Sequence, residues 1–202
     1  CYRELPDVLD PFDRNTFSQN PVEFYVGATN IETGDVIYHK CTDGETTDIK
    51  WMQASASMPI VSKPVEIDGL KLLDGGIVDS VPFNFMESIG YNKNLIILTQ
   101  PANYVKKKSS AIIFIRLFLH RYPKIIEAMK MRHIRYNRQM KDIAEREKSG
   151  AVLVIRPPES LNISRTEKNP DELERVYQIG RKEAISHLKE IQVFTSKQLT
   201  TI

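Results

Sequence analysis

Two Asp-Gly pairs, beginning at Asp68 and Asp74, constrain the fold of this chain more than any other feature. Asp-Gly is the strongest short signal for a two-residue turn between antiparallel strands. Residues 64–67 (PVEI) and 70–73 (LKLL) flank the first pair, so the sequence predicts a tight hairpin. The second pair follows the hairpin at once and is extended by another glycine. The hairpin therefore ends on an acidic residue with two glycines behind it.

Other strand-length apolar runs alternate with segments of helical spacing. The strand candidates are residues 22–28, 36–39, 94–99 and 151–155. The helix candidates are residues 82–89, 111–119, 123–148 and 169–191. This alternation predicts an α/β fold, a layered sheet flanked by helices. The nearly pure apolar runs at 94–99 and 151–155 are typical of buried parallel strands, and we expect residues 22–28 in the same parallel domain.

The composition fits one globular domain. The 202 residues are 41% hydrophobic and 27% charged with a net charge of +2, which argues against disorder. No run approaches the roughly 18 consecutive apolar residues that a membrane-spanning helix needs. Cys1 and Cys41 are the two cysteines, and nothing near the start resembles a secretory signal. We therefore expect a reducing, cytoplasmic location, with one Cys1–Cys41 pair as the open alternative.

The positive charge is concentrated in one stretch. Residues 101–150 carry 13 Lys and Arg against 4 Asp and Glu, a local +9, whereas the remainder carries 15 against 22, a local −7. Residues 105–148, which include the basic helix 123–148, are therefore the candidate for contact with anionic phosphate. An ordinary core helix with a solvated basic face is the stronger expectation, and partial burial of the apolar run at 112–119 in an anionic membrane is the alternative. No nucleic-acid-binding motif occurs, so no nucleic-acid partner is expected.

Asp74 is the sharpest candidate for chemistry. A carboxylate at the end of an apolar strand, followed by Gly75 and Gly76, can act in a cleft as a general base because the glycines allow close backbone approach. The same three residues also fit a plain turn. Taken alone, the residues leave these two interpretations open.

The other candidate groups carry less chemistry. The histidines, His39, His120, His133 and His187, lack the spacing of metal ligands, so neither a metal nor a cofactor is expected. Ser55 and Ser57 have no base in a recognisable motif nearby, and we assign them a structural role.

Four segments in a fixed order add weight to the catalytic interpretation. They are FYVGATN at 24–30, ASASMP at 54–59, PVEI at 64–67 and LDGGIVDSVP at 73–82. In order and spacing this set resembles the second half of the patatin-like phospholipase family, bacterial type. The resemblance covers about residues 21–100 and, more loosely, residues 151–188.

The resemblance implies a lipid acyl hydrolase that uses a Ser-Asp dyad without histidine, acting on an acyl ester or a phospholipid. In that family a serine in a Gly-x-Ser-x-Gly elbow attacks the ester while the aspartate of an Asp-Gly-Gly motif activates it. By resemblance Asp74 is the dyad aspartate, and Gly75 and Gly76 let the backbone pass close beneath the nucleophile. Ser80 stands where the family commonly has Asn, which puts one loop hydrogen bond in question.

The chain has no Gly-x-Ser-x-Gly and no Gly-rich oxyanion loop, and therefore no nucleophile of this type. Because it also begins with Cys rather than Met, we expect residues 1–202 to be the C-terminal part of one patatin-like domain, inactive alone. Missing neighbours would leave apolar strand edges bare, so we also expect the 202-residue chain to self-associate. The rival interpretation is a non-enzymatic module that binds anionic lipid or a protein partner through helix 123–148, with Asp74 in a mere turn.

Overall fold

The structure is a computed structural model that describes Tyr2, residues 4–164 and residues 166–196. Cys41 is a buried free thiol. Cys1 lies outside the described residues, and the alternative of a Cys1–Cys41 pair lies outside them with it.

The chain divides into two compact units. Unit 1 comprises residues 1–82 and 106–138, and unit 2 comprises residues 83–105 and 139–202. The strands are β1 Phe24–Asn30, β2 Val36–Cys41, β3 Val65–Ile67, β4 Leu70–Asp74, β5 Asn94–Ile97 and β6 Val152–Ile155. The α-helices are α1 Arg14–Gln19, α2 Thr46–Ser55, α3 Phe83–Ser88, α4 Ile112–Phe118, α5 Pro123–Ser149, α6 Pro170–Ser186 and α7 Leu188–Ser196. A π-helical turn lies at Leu5–Leu9 and a 3-10 turn at Gly75–Ile77. The predicted mixture of sheet and flanking helices is confirmed.

Unit 1 is built on a four-stranded antiparallel sheet with the strand order β2-β1-β4-β3. The predicted hairpin is confirmed, because β3 and β4 pair across Asp68 and Gly69, whose φ angles of 49° and 78° are left-handed. The prediction that residues 22–28 join a parallel sheet is wrong. The turn at residues 31–35 is too short for a crossover, so β1 and β2 can pair only antiparallel.

The two leucines of β4 point to opposite faces of this sheet, because side chains alternate along a strand. Leu72 packs with Trp51 of α2 on one face. Leu73 packs with Ile115 of α4 and Ile125 of α5 on the other. The two leucines are 0% and 1% exposed, and full burial of a leucine stabilises a fold by roughly 1.5–3 kcal/mol. Helices therefore cover both faces of β4 within unit 1.

Unit 2 contains the second sheet, in which β5 and β6 pair in parallel as predicted for residues 94–99 and 151–155. All four residues of β6 are buried. Arg146 of α5 donates from Nε and Nη2 to the two carboxylate oxygens of Glu87 at 2.6 and 2.9 Å, which ties α5 to α3. A two-pronged pair of this kind fixes orientation as well as distance.

The remaining helix predictions agree with the structure, apart from one break. The segments 82–89, 111–119 and 123–148 are confirmed as α3, α4 and α5. The predicted final helix, 169–191, is divided at His187 into α6 and α7.

The prediction of burial fails for part of β5. Leu95 and Ile97 are 40% and 73% exposed, so the strand is paired as expected but bare on one face. Self-association of the chain would cover such a face. That expectation stays a prediction.

Gly75 lies directly against the backbone of β1. A Cβ atom at this position would be 2.4 Å from the carbonyl oxygen of Gly27 and 2.6 Å from its carbonyl carbon. Close-packed interiors have no room for such an overlap, and backbone atoms cannot rotate away as a side chain can. The 3-10 turn that follows β4 therefore requires glycine here.

We predict that Gly75→Ala destabilises unit 1 by about 3 kcal/mol, because the two backbones must separate to admit a methyl group. Trp51 is the single tryptophan and lies in unit 1, so its fluorescence during urea unfolding reports on this unit. The matched control is Gly180→Ala in α6 of unit 2, where nothing lies within 4 Å of an added Cβ. The control should leave the Trp51 midpoint unchanged. An unchanged midpoint for Gly75→Ala would contradict the backbone contact.

Candidate functional site

Asp74 is the last residue of β4, and its backbone is held on both sides. Its N–H donates to the Ser57 carbonyl at 2.9 Å, and its carbonyl accepts from the Thr29 hydroxyl at 2.9 Å. Thr29 is 0% exposed, so the second bond is shielded from water. Asp74 itself is half-buried. The structure thus has Asp74 where the sequence predicts it, at a strand end beside residues 54–59, while its catalytic role stays a prediction.

The carboxylate of Asp74 is oriented by the two glycines that follow it. Its Oδ1 accepts from the Gly76 N–H at 2.7 Å, which caps the 3-10 turn. The close backbone approach that the motif allows is made by Gly75 against β1. A carboxylate held by a backbone N–H keeps its direction better than one held by a flexible side chain, because the donor cannot rotate independently of the fold.

Arg132 of α5 reaches the same loop. Its Nε donates to the Gly76 carbonyl at 2.8 Å. A Cβ on Gly76 would lie 3.1 Å from Asp74 Oδ1 and 3.7 Å from Arg132 Nη2. The guanidinium and the carboxylate therefore both lie next to the Gly76 Cα. The sequence analysis missed this residue. The local +9 charge indicated a basic helix, but nothing in the sequence showed which arginine turns toward residue 76.

Two further side chains hold the loop after the motif. Ser80 donates from Oγ to the Gly76 carbonyl at 2.9 Å, so serine makes a hydrogen bond within this loop. The Tyr38 hydroxyl of β2 donates to Oδ2 of Asp79 in a short hydrogen bond. Burial raises the pKa of Tyr38 far above its ordinary value, and the bond and charge of Asp79 raise it further. The phenol therefore remains a protonated donor throughout the neutral range.

Ser57 is engaged by the end of α2. Its Oγ donates to the Gln53 carbonyl at 2.7 Å, and the residue is 5% exposed. Its own carbonyl accepts from Asp74. These contacts fit the structural role expected for Ser57, which positions the backbone of the candidate aspartate.

A second polar cluster lies where β2 faces α2. His39, Cys41 and Asp48 offer ligand atoms within 4.8 Å of one another, and these residue types bind metals. Asp48 is 3% exposed, and its Oδ2 accepts from the backbone N–H groups of residues 42–44 at 2.7, 3.0 and 2.9 Å. Its Oδ1 lies 2.7 Å from His39 Nε2. The carboxylate therefore has hydrogen-bond partners on both oxygens.

The surroundings of Cys41 disfavour the thiolate that a metal would bind. Burial, together with the charges of Asp48 and Asp43, raises the pKa of the Cys41 thiol to about 12. A metal would have to displace the thiol proton against these effects. The His39 ring instead stacks on Trp51 with 4.8 Å between centroids. We assign the cluster to joining β2, α2 and the loop at 42–44.

The remaining histidines stay apart from such clusters. Within the described part of the chain, no group of three or more metal-binding side chains includes His120, His133 or His187.

Comparison with known families divides the chain in two. Residues 1–86 match the patatin-like phospholipase family, so the match includes β1 to β4 and Asp74 with its glycines. The match begins earlier than the motifs predicted and ends before residue 100. It supports a lipid hydrolase family in general terms.

The C-terminal part of the chain has a different match. Residues 122–196 match a domain of unknown function (DUF6363), and the match includes α5, β6, α6 and α7. No curated protein matches the chain. The expected patatin-like character of residues 151–188, and of 1–202 as one domain, stays a prediction. Among the described residues, no helix has the length and apolar character needed to cross a bilayer.

We predict that Asp48→Asn destabilises unit 1 by about 2 kcal/mol at neutral pH, because an amide cannot accept from the backbone and from His39 as a carboxylate does. Burial raises the pKa of Asp48, but the bonds from His39 and the backbone amides of residues 42–44 outweigh burial and lower it overall. A carboxyl with a lowered folded pKa stabilises above its unfolded pKa, and this stability is lost as the pH falls through the folded pKa.

The difference in the free energy of unfolding between wild type and Asp48→Asn should therefore be largest at neutral pH, as at pH 7, and should decrease below about pH 4. Urea unfolding followed by Trp51 fluorescence at several pH values measures it. The control is Asp43→Asn, since Asp43 is exposed and accepts from the Glu45 N–H at 2.8 Å, a bond that asparagine can keep. A pH-independent difference for Asp48→Asn would contradict the assignment.

Proposed function

We propose that this chain carries the aspartate of a Ser-Asp dyad, and that the complete protein is a patatin-type acyl hydrolase of esters or phospholipids. The observation that supports the proposal most is the fixed carboxylate of Asp74, whose backbone bonds to Ser57 and Thr29 and whose Oδ1 bonds to the Gly76 N–H. The family match over residues 1–86 supports the same chemistry.

In the proposed reaction, a serine hydroxyl supplied by sequence upstream of residue 1 attacks the acyl carbonyl carbon. Asp74 accepts the hydroxyl proton as the new carbon–oxygen bond forms. The proton then passes to the leaving alcohol as its bond to the acyl carbon breaks. Water hydrolyses the acyl-serine in a second round, with Asp74 again accepting and returning one proton. The scheme uses no metal and no cofactor.

The proposed role of Arg132 is to position the base. By donating to the Gly76 carbonyl at 2.8 Å, it holds the peptide whose neighbouring N–H orients Asp74. Ser80 donates to the same carbonyl at 2.9 Å, so two side chains keep the loop from rotating. A base that is already oriented needs no rearrangement at the moment of proton transfer.

We predict that Asp74→Asn, in a protein extended upstream to include the nucleophile, lowers the turnover of a p-nitrophenyl ester by about 10²- to 10⁴-fold, the range that a general base contributes. The matched control is Asp68→Asn. Asp68 is exposed in the hairpin turn at φ 49°, a conformation that asparagine tolerates. Circular dichroism should show both variants folded.

The same assay applied to the 202-residue chain should give no turnover, because the nucleophile and oxyanion donors are absent from it. Wild-type turnover by Asp74→Asn would show that the aspartate belongs to a plain turn. Turnover by the 202-residue chain after purification controls would show that a different serine acts.

A further inference from the structure

Helix α4 presents apolar side chains to solvent as well as to the core. Ile115, in the middle of the helix, and Leu119, its C-cap residue, are 2% and 8% exposed and pack in the core of unit 1. The other face is bare: Ile113, Phe114, Leu117 and Phe118 are 72%, 60%, 70% and 63% exposed. Positions spaced by three and four residues share one side of a helix, which groups 113 with 117, 114 with 118 and 114 with 117, so these four side chains form a continuous apolar face.

Positive charge borders this face. Residues 105–124 contain six Lys and Arg and no Asp or Glu. Five of the six are exposed: Lys107, Lys108, Arg116, Arg121 and Lys124. The sixth, Lys106, lies with its ammonium 4.4 Å from the centroid of the Tyr136 ring. An apolar helix face flanked by exposed cations is the pattern of helices that lie in the interface of a bilayer.

Two arginines of α5 lie within the stretch 105–148 that the sequence offered for contact with phosphate, but they are engaged in the fold. Arg132 donates to the Gly76 carbonyl, and Arg135 donates to the carbonyls of Ile77 and Ala128. Both are half-buried in unit 1. They are therefore less suited to a lipid contact than the exposed cations of residues 105–124.

The positive charge also helps to decide which partner the apolar face binds. A second copy docked face to face would bring two sets of five exposed cations together, and like charges across an interface oppose association. Nucleic acid would neutralise the cations but would leave the apolar side chains without a partner. Anionic lipid satisfies both, because acyl chains accept the apolar face while headgroups pair with the cations.

We propose that the exposed face of α4, with its flanking basic side chains, is a docking surface for an anionic lipid bilayer. The buried face of α4 packs in the same core cluster as Leu73 and Ile77, which stand on either side of the Asp74 motif. Docking would thus hold the candidate aspartate close to a lipid surface. The docking surface itself rests on exposure and charge, and it does not depend on Asp74 being catalytic.

The test is flotation of the 202-residue chain with vesicles of phosphatidylcholine alone and of phosphatidylcholine containing phosphatidylserine. We expect binding to the anionic vesicles, weakened by high salt, and little binding to the neutral ones. The variant Phe114→Ser/Leu117→Ser should bind at least about 10-fold more weakly, since it removes apolar area from the docking face. Because no turnover is measured, the result is independent of the dyad.

The matched control is Ile185→Ser/Val193→Ser, which removes two apolar side chains of 54% and 55% exposure from unit 2. It should bind like wild type. Circular dichroism and Trp51 fluorescence verify that both variants fold. Equal binding by the Phe114→Ser/Leu117→Ser variant, or equal binding to neutral vesicles, would overturn the proposal. Absence of vesicle binding, with light scattering showing an oligomer that this variant dissociates, would overturn it in favour of a second copy.

Discussion

The backbone contact between Gly75 and Gly27 is the constraint on which the rest of unit 1 depends. Because no side chain fits at Gly75, the chain can turn sharply after β4 while staying against β1. In that turn the Gly76 N–H donates to the Asp74 carboxylate. The Gly76 carbonyl accepts hydrogen bonds from Arg132 and Ser80. The carboxylate is thus oriented by the fold itself, as the proposed role of Asp74 as a proton acceptor requires.

The local features of this arrangement were predictable from the sequence. Asp68-Gly69 predicted the hairpin because its conformation is decided by two residues, and the apolar run before Asp74 predicted a strand end. The antiparallel pairing of β1 follows from the short turn at residues 31–35, whereas the apolar character of β1 had favoured a parallel sheet. Arg132 was not predictable, because it lies 56 residues from Gly76 and only packing brings the two together. The partners of Asp48 are close in sequence, but nothing in the pattern of residues 39–48 shows that its carboxylate turns inward.

The basic segment illustrates the same limit. Counting charges located the excess in residues 101–150, but the count cannot tell which cations serve the fold. In the structure Arg132 and Arg135 bond backbone carbonyls in unit 1, and Arg146 pairs with Glu87 in unit 2. Other cations of this stretch are exposed around α4, beside an apolar face that a helical pattern alone could not assign to core or surface. Within this one stretch, some cations therefore stabilise the fold and others remain exposed at the surface.

Activation of a serine by Asp74 can be measured by the reaction of the upstream-extended protein with a fluorophosphonate, which labels only activated serines. Mass spectrometry identifies the labelled peptide, and the time course gives the labelling rate. We expect one labelled serine upstream of residue 1 and a rate about 100-fold lower in Asp74→Asn, because the base that removes the hydroxyl proton is gone. Labelling of Asp74→Asn at the wild-type rate would contradict this role of Asp74.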